Sequence, residues 1–202
     1  MPIMEQPITY FETLDPGNTD ITFRLARDRA HTLNIKKIVI ASTSGATAKK
    51  AMEYFKNDGI QLIVIPHQWD FHREINAFPG DLAKTLKEAG HVVHFGTMLF
   101  HTGDLYESTT PVVMANLLRC FCQGFKVCFE IVLMATDAGH VKSGEKIIAI
   151  AGTGRGSDTA LVMQAASSQH LKNLRVHEIL CKPLNPLNLE EVHARMKREL
   201  SR

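Results

Sequence analysis

The sequence predicts an α/β fold with a mainly parallel sheet, and two observations support this prediction. Residues 37–41 and 60–65 are short, continuous apolar runs, as expected of strands that are buried on both faces. Between them, Ala48, Ala51 and Phe55 recur at helical spacing. A strand, a helix and a second strand in this order make a parallel βαβ unit, and the other elements are predicted around it.

Composition is that of an ordinary globular protein. The chain has 202 residues, of which 45% are hydrophobic and 22% charged, so we expect a single domain over residues 1–202. Lys plus Arg outnumber Asp plus Glu by only 23 to 21, which does not indicate nucleic-acid binding. No apolar run has membrane-spanning length, and the N-terminus lacks the pattern of a signal peptide. We therefore expect a cytoplasmic protein that binds neither nucleic acid nor a membrane.

The cysteines predict buried, reduced thiols. All four lie in apolar segments without metal-ligand spacing: Cys120, Cys122, Cys128 and Cys181. We expect no metal site.

A short strand and a helix precede the βαβ unit. Residues 8–11 favour a strand, and the turn at 15–20 leads into a helix. Its apolar side is expected at Ile21, Leu25, Ala26, Ala30 and Leu33. Asn18 and Thr19 are suited to N-capping this helix, and the alternative is that they contact a ligand.

A long irregular segment follows the second strand of the unit. His67, Trp69 and His72 lie just after residues 60–65. Loops at the carboxyl ends of strands carry ligand sites in doubly wound sheets, so His67 and Trp69 are candidates. The alternative is an exposed histidine and a tryptophan that covers the core.

The middle of the chain predicts a third strand, a loop and two helices. Residues 91–95 favour the strand, and residues 96–109 have no periodicity, which is typical of a lid or binding loop. Residues 112–138 read as two helices, of which the second, 126–138, is apolar nearly all round and therefore buried.

Charged residues on this buried helix need an explanation. Lys126, Glu130 and Asp137 fall within a stripe about 40° wide. A buried carboxylate is costly unless it is paired. Glu130 is therefore either part of a structural ion pair or faces a polar pocket.

The last third of the chain predicts a strand at 146–151 and a glycine-rich loop at 152–159. Residues 159–166 are compatible with a strand or a helix, and residues 175–181 favour a strand. From Asn188 a final helix carries a narrow apolar stripe, composed of Leu189, Val192, Met196 and Leu200. This stripe fits packing on the domain or against a second subunit of a homo-oligomer.

The junction between the first strand of the unit and its helix offers many hydrogen-bond donors. Residues 42–47, STSGAT, hold four hydroxyls and one glycine before a helix N-terminus. Backbone N–H groups, hydroxyls and the helix dipole favour a bound anion such as phosphate. The sequence matches neither a P-loop nor a dinucleotide fingerprint. The alternative is an ordinary turn in which Ser44 caps the helix.

Four phrases carry a resemblance to a known family. They are PGNT at 16–19, ASTSGATA at 41–48, QGFKVCFEIVLMATDAG at 123–139 and AGTGRGSDTA at 151–160. The chain resembles the C-terminal domain of pyruvate kinase, and more closely the small stand-alone proteins similar to that domain, from about Tyr10 to Pro183. Residues 184–202 look like a helical extension outside the resemblance.

The resemblance implies a fold and a ligand. The fold is a three-layer α/β/α domain with a mainly parallel sheet, in which strands 37–41 and 146–151 are neighbours. Members of known structure bind flavin mononucleotide (FMN), and no reaction is established for the family. Relatives also favour a strand at residues 159–166.

Site residues follow from matching positions. The phosphate would be held by Ser42, Thr43, Ser44, Gly45 and Thr47. The ring or ribityl chain would be bordered by Gly154, Arg155, Gly156 and Asp158. Asn18, Lys126 and Glu130 match positions that recur in the family.

Two functions are compatible with these residues. The first is a binding module that holds FMN or a similar phosphorylated small molecule as a carrier or sensor. The second is an enzyme in which Glu130 or Lys126 acts as an acid–base group, with residues 96–109 as a lid. No second nucleotide motif is present to bring a reductant, which favours the binding module.

Overall fold

The computed structural model describes residues 3–71 and 77–200, and a seven-stranded sheet runs through them. Its order is β1-β7-β6-β5-β2-β3-β4. The strands are β1 (Thr9–Phe11), β2 (Lys37–Ala41), β3 (Gln61–Ile65), β4 (Val92–Val93), β5 (Lys146–Ala151), β6 (Thr159–Gln164) and β7 (Arg175–Pro183). β5, β2, β3 and β4 are parallel, whereas β6 is antiparallel to both of its neighbours. β1 pairs in parallel with β7.

Helices cover both faces of the sheet. They are α1 (Asn18–Leu33), α2 (Ala46–Tyr54), α3 (Gly80–Glu88), α4 (Thr110–Arg119), α5 (Gln123–Asp137) and α6 (Leu189–Leu200). The helices α1, α2 and α3 pack on one face through Phe23, Ala51 and Leu86, and α5 packs on the other. The predicted α/β class with a mainly parallel sheet is confirmed.

The position of β2 inside the sheet, covered by helices on both faces, explains why its sequence is continuously apolar. Ile38 and Ile40 point into the core beneath α1 and α2, while Val39 lies in the core beneath α5. All three side chains are fully buried. A strand covered by helices on both faces has no solvent-exposed side, so no polar alternation appears.

The N-terminal half of α1 differs from the prediction. Ile21 is exposed, and Phe23 takes the core position instead. Asn18, Thr19 and Thr22 are buried although they are polar. The inward face of this helix therefore begins with polar residues, which an apolar periodicity does not detect.

The start of α5 also differs from the prediction, because the helix begins at Gln123 rather than Lys126. Gly124, which the prediction left outside the second helix, lies within it. A Cβ atom at this position would overlap the Thr159 hydroxyl and lie 2.7 Å from the Thr159 Cβ. Glycine is thus required by close packing of the helix against β6.

Several smaller expectations are settled by the structure. Residues 159–164 form a strand, as the resemblance implied, and the predicted strand at 91–95 is reduced to two residues. Cys120 is exposed, so the prediction that all four cysteines are buried is wrong for this one, which ends α4 on its outer side. His72 lies outside the described residues.

The C-terminal helix α6 packs back on the domain. Val192 is buried, and the Arg195 guanidinium donates a hydrogen bond to the carbonyl oxygen of Leu14. Among the helices of residues 3–71 and 77–200, none is both long and apolar enough to cross a membrane.

We predict that Gly124→Ala destabilises the protein by about 1–3 kcal/mol, because the added methyl group overpacks the contact with Thr159. Gly80→Ala is the matched control, since Gly80 also lies in the first turn of a helix but a Cβ there meets nothing within 4 Å. The free energy of unfolding of each variant, from urea denaturation, checks this. Equal stability of the two variants would contradict the packing argument.

Candidate functional site

The candidate site lies where the direction of chain winding changes. β2 pairs in parallel with both β3 and β5. The chain leaves β2 towards α2 on one face and enters β5 from α5 on the other, so the β2–β5 boundary is a topological switch point. Ile40 pairs with Ile150, and the loops that follow these two strands therefore emerge side by side. The predicted proximity of the two strands is confirmed.

The first of these loops, residues 42–47, is here called the hydroxyl turn. Gly45 is the N-cap of α2 and has a φ of +85°, a left-handed conformation that favours glycine. Ser42 is buried, and its Oγ accepts a hydrogen bond of 3.1 Å from the N–H of Ala48. The interpretation of Ser44 as the cap is therefore wrong. The hydroxyl of Ser42, three residues before the N-cap, accepts the N–H of Ala48 in the first turn of the helix instead.

Backbone donors of the hydroxyl turn find no acceptor among the described residues. The N–H groups of residues 43–47 donate to no acceptor in the described part of the chain. Thr43 and Ser44 are exposed to solvent, and Thr47 is half-buried. A helix N-terminus with free N–H groups and nearby hydroxyls is suited to an anion.

The second loop, residues 152–158, is here called the glycine loop. Its frame is the carboxylate of Asp158, which accepts hydrogen bonds from the N–H of Thr153 (2.9 Å) and the hydroxyl of Thr159 (2.7 Å). Burial raises the pKa of Asp158, and these hydrogen bonds oppose that rise. Asp158 therefore holds the loop together. Gly154 and Arg155 form its exposed tip.

The N-terminus of α1 braces the glycine loop. The N–H of Ser157 donates to the hydroxyl oxygen of Thr19 (2.9 Å), and the hydroxyl of Thr22 donates to the carbonyl oxygen of Ser157 (3.2 Å). Gly156 has a φ of +78°, and a Cβ there would lie 2.5 Å from the Thr19 hydroxyl. Glycine is required here by both conformation and space.

The capping prediction for α1 is wrong. Gly17 is the N-cap, and it makes no side-chain capping bond. Asn18 instead donates from its side chain to the carbonyl oxygen of Thr13 (2.7 Å), and Thr19 bonds the glycine loop. Both side chains serve tertiary contacts rather than the helix end.

Two buried hydroxyls of the glycine loop lack hydrogen bonds. The side-chain oxygens of Thr153 and Ser157 have no partner of normal geometry among the described residues, although the residues are only 5% and 2% exposed. The Thr153 hydroxyl lies close enough to Asp158 to stabilise its charge, whereas Ser157 has no such neighbour. An unsatisfied buried hydroxyl costs about 1–3 kcal/mol and is rare in folded proteins.

Three helix N-termini converge on this edge of the sheet. The N-terminus of α1 touches the glycine loop through Thr19, and that of α2 follows β2 directly. A solvent-exposed ion pair of 2.7 Å between Lys50 and Asp20 connects these two helices. The N-terminus of α5 reaches the same edge, since Gly124 packs on Thr159. Converging helix N-termini create a positive potential that attracts anions.

Lys126 and Glu130 form a buried ion pair one helical turn further along α5. The Lys126 Nζ lies 2.6 Å from one oxygen of Glu130, and both side chains are almost fully buried. The other oxygen accepts the N–H of Phe100 (2.9 Å) and lies 3.2 Å from the Nδ1 of His101. Asp137, on the same predicted stripe, is exposed and accepts the N–H of Ser168. The pair thus fastens the segment 96–109 to the helix.

Opposing effects set the charge of Glu130. Burial by itself would raise the pKa of the carboxyl, but the hydrogen bond from His101 and the charge and hydrogen bond of Lys126 outweigh it and lower the pKa to about 2. Burial lowers the pKa of Lys126, and Glu130 opposes that change. Of the two interpretations of Glu130, the structure favours the ion pair.

Comparison with known proteins identifies the family. A sequence model of the family described as pyruvate kinase, alpha/beta domain, matches residues 20–163, which is more than half of the chain. The chain belongs to the pyruvate kinase alpha/beta domain family. The match ends within β6, so β1, β7 and α6 of this family member lie outside the matched range.

Solved structures with a similar fold include pyruvate kinases from Cryptosporidium parvum. One is 17% identical, covers 77% of this chain and 24% of its own, and has a TM-score of 0.41. A second is 18% identical, with coverages of 73% and 22% and a TM-score of 0.35. A complex with ADP is 17% identical, with coverages of 84% and 24% and a TM-score of 0.37. The chain spans about a quarter of the length of these pyruvate kinases.

Sequence reasoning missed two adjoining apolar cavities in this alpha/beta domain. They have volumes of about 260 and 240 Å³ and lie between α4, α5 and the segment 96–109, where both are lined by Phe100, Met114 and Leu171. They are separate from the hydroxyl turn and the glycine loop. The only sequence signal was the aperiodic segment 96–109, which contributes part of their lining.

Glu130→Gln should lower the free energy of unfolding by about 3–5 kcal/mol, because it leaves the Lys126 charge buried without its partner. Since the folded-state pKa of Glu130 lies below its ordinary value of 4.5, the wild-type contribution is present above pH 4.5 and is lost as the pH falls to about 2. Denaturation of wild type and variant across this range checks both statements.

Glu88→Gln is the control for this prediction. Glu88 forms an exposed i,i+4 pair with Lys84 at 4.0 Å, which is worth no more than about 1 kcal/mol. If Glu130→Gln and Glu88→Gln cost the same, Glu130 is not held by its ion pair.

Proposed function

We propose that this alpha/beta domain binds the phosphate group of a small phosphorylated molecule between the hydroxyl turn and the glycine loop. The observation that carries the proposal is the buried Ser157 hydroxyl, which has no partner in the described protein. It lies at the switch point where the N–H groups of residues 43–47 are also unused. A bound phosphate oxygen would satisfy such donors.

FMN is the ligand that the sequence resemblance indicates, and the donor set fits its phosphate. The phosphate would be held by the hydroxyl turn, Ser42, Thr43, Ser44, Gly45 and Thr47, at the N-terminus of α2. Gly154, Arg155 and Gly156 would border the ribityl chain or the ring. When bound, the flavin would supply redox chemistry, and the protein would supply binding and orientation.

The proposed role is that of a carrier or sensor. The enzyme alternative assigns proton transfer to Glu130 or Lys126. Both oxygens of Glu130 are engaged by Lys126, Phe100 and His101. A general base needs a free oxygen within reach of the substrate, so this arrangement supports binding without chemistry.

The direct experiment is to denature freshly purified protein and to record the absorption and mass spectra of the released small molecule. The proposal expects a phosphorylated molecule in stoichiometric amount, with a flavin spectrum if the ligand is FMN. A flavin-free release with a different phosphate ester would replace FMN but keep the phosphate site. No released ligand, together with no uptake of added FMN or ribose 5-phosphate, would disprove the proposal.

We predict that Ser157→Ala weakens binding of FMN to the ligand-free protein about 10- to 100-fold, since a hydrogen bond to a charged phosphate is lost. The ligand-free protein should lose no stability and should gain up to about 1–3 kcal/mol, because the substitution breaks no hydrogen bond and removes the cost of the unsatisfied buried hydroxyl. Isothermal titration calorimetry and urea denaturation measure the two quantities.

Ser143→Ala is the matched control for Ser157→Ala. Its hydroxyl accepts the N–H of Ser167 and lies before β5, at the opposite edge of the sheet. FMN affinity should be unchanged in this variant. Unchanged affinity in Ser157→Ala as well would remove the observation on which the proposal depends.

A further inference from the structure

Trp69 is the only tryptophan of the chain and is 61% exposed. It follows β3 by four residues, at the same edge of the sheet as the hydroxyl turn. Of the alternative interpretation, a tryptophan that covers the core, the structure shows an edge contact with Phe95, while most of the surface of the indole faces solvent. The exposed indole therefore lies at the edge of the sheet where the hydroxyl turn offers its donors.

The residues on either side of Trp69 have a side-chain hydrogen bond and an uncommon backbone conformation. The preceding residue, Gln68, accepts the N–H of Met98 at 2.9 Å through its side-chain oxygen. The following residue, Asp70, has a φ of +61°, an uncommon conformation for a residue other than glycine.

Aromatic contacts connect Trp69 to the hydroxyl turn. Its ring lies 5.8 Å from the ring of Phe95 at an angle of 79°, and Phe95 lies 6.1 Å from Phe78 at 81°. A Cβ added to Gly45 would lie 3.6 Å from the ring of Phe78. Two edge-to-face ring contacts, Phe78 with Phe95 and Phe95 with Trp69, thus lie between the N-cap of α2 and the exposed indole.

We propose that Trp69, supported by Phe95, is the stacking surface for an aromatic ring on the phosphate ester held at the hydroxyl turn. This inference rests on the proposed function and adds the ligand class, which is a phosphate joined through a sugar-length linker to a planar ring system. The hydroxyl turn recognises only the phosphate, so the indole is what distinguishes ring-bearing esters from simple sugar phosphates.

Stacking accounts for the exposure of the indole. A planar ring placed against tryptophan buries apolar surface on both partners and tolerates different ring chemistries, because the contact uses the π-face rather than hydrogen bonds. Trp69 and Phe95 carry no charge, so they do not repel the anionic end of the ligand. The phosphate donors and the aromatic surface can then act on opposite ends of one molecule.

Three probes separate the two ends of the ligand: FMN carries phosphate and ring, ribose 5-phosphate only the phosphate, and riboflavin only the ring. We expect Trp69→Ala to weaken FMN and riboflavin binding about 10- to 100-fold and to leave ribose 5-phosphate binding unchanged. Trp69→Phe, which keeps a ring, should retain most of the FMN affinity. Fluorescence of the single tryptophan should be quenched by FMN but not by ribose 5-phosphate.

Tyr106→Ala is the control for loss of an exposed aromatic residue. Tyr106 is 69% exposed and lines one of the apolar cavities, away from the hydroxyl turn. Its substitution should alter none of the three affinities. Far-ultraviolet circular dichroism of each variant verifies that the fold is retained.

The outcomes distinguish this inference from the function on which it rests. If Trp69→Ala binds FMN as tightly as wild type while Ser157→Ala binds it more weakly, the stacking surface is disproved and the phosphate site stands. If wild type binds neither FMN nor ribose 5-phosphate, the phosphate site is disproved, and the inference with it.

Discussion

A single buried carboxylate, Asp158, connects the parts of the structure on which the site depends. It bonds Thr153 within the glycine loop and Thr159 at the start of β6. The N-terminus of α5 packs on the side chain of Thr159. Gly124 leaves room for this contact, and the Cys122 Sγ lies 3.4 Å from the Thr159 hydroxyl. The loop, the strand and the helix therefore keep their relative positions through one charged group.

Polar groups of the core and of the candidate site fall into two classes. Those of Asp158, Lys126 and Glu130 are satisfied by the protein itself, and each fixes one segment of chain against another. The hydroxyl of Ser157 and the N–H groups of the hydroxyl turn are not satisfied by described residues. The Ser157 hydroxyl is buried, whereas the hydroxyl turn is largely exposed to solvent. These unpaired groups are the ones on which the proposed phosphate site rests.

Sequence patterns predicted those elements whose environment is local. Continuous apolar runs revealed β2, β3 and β5, because strands covered on both faces need no polar residues. The start of α5 was missed because Gly124 is explained by Thr159, 35 positions away in the chain. The partners of Glu130 could not be predicted from the sequence either, since Phe100 and His101 lie on a segment without periodicity. In the site, residue types suggested an anion, but only the fold shows which hydroxyls lack partners.

A carboxylate beside the proposed phosphate site raises the question of repulsion. The negative charge of Asp158 is opposed by the N-terminus of α5 and by Arg195 of α6, which lowers the pKa of the carboxyl against the larger effect of burial. The N-termini of α1 and α2 lie on the other face of the sheet and do not contact this carboxylate through any described hydrogen bond. The dipole of α5 thus stabilises the charge of Asp158, which holds the glycine loop together. The N-terminus of α2, whose N–H groups have no acceptor among the described residues, is then the one that would face the charge of the proposed ligand.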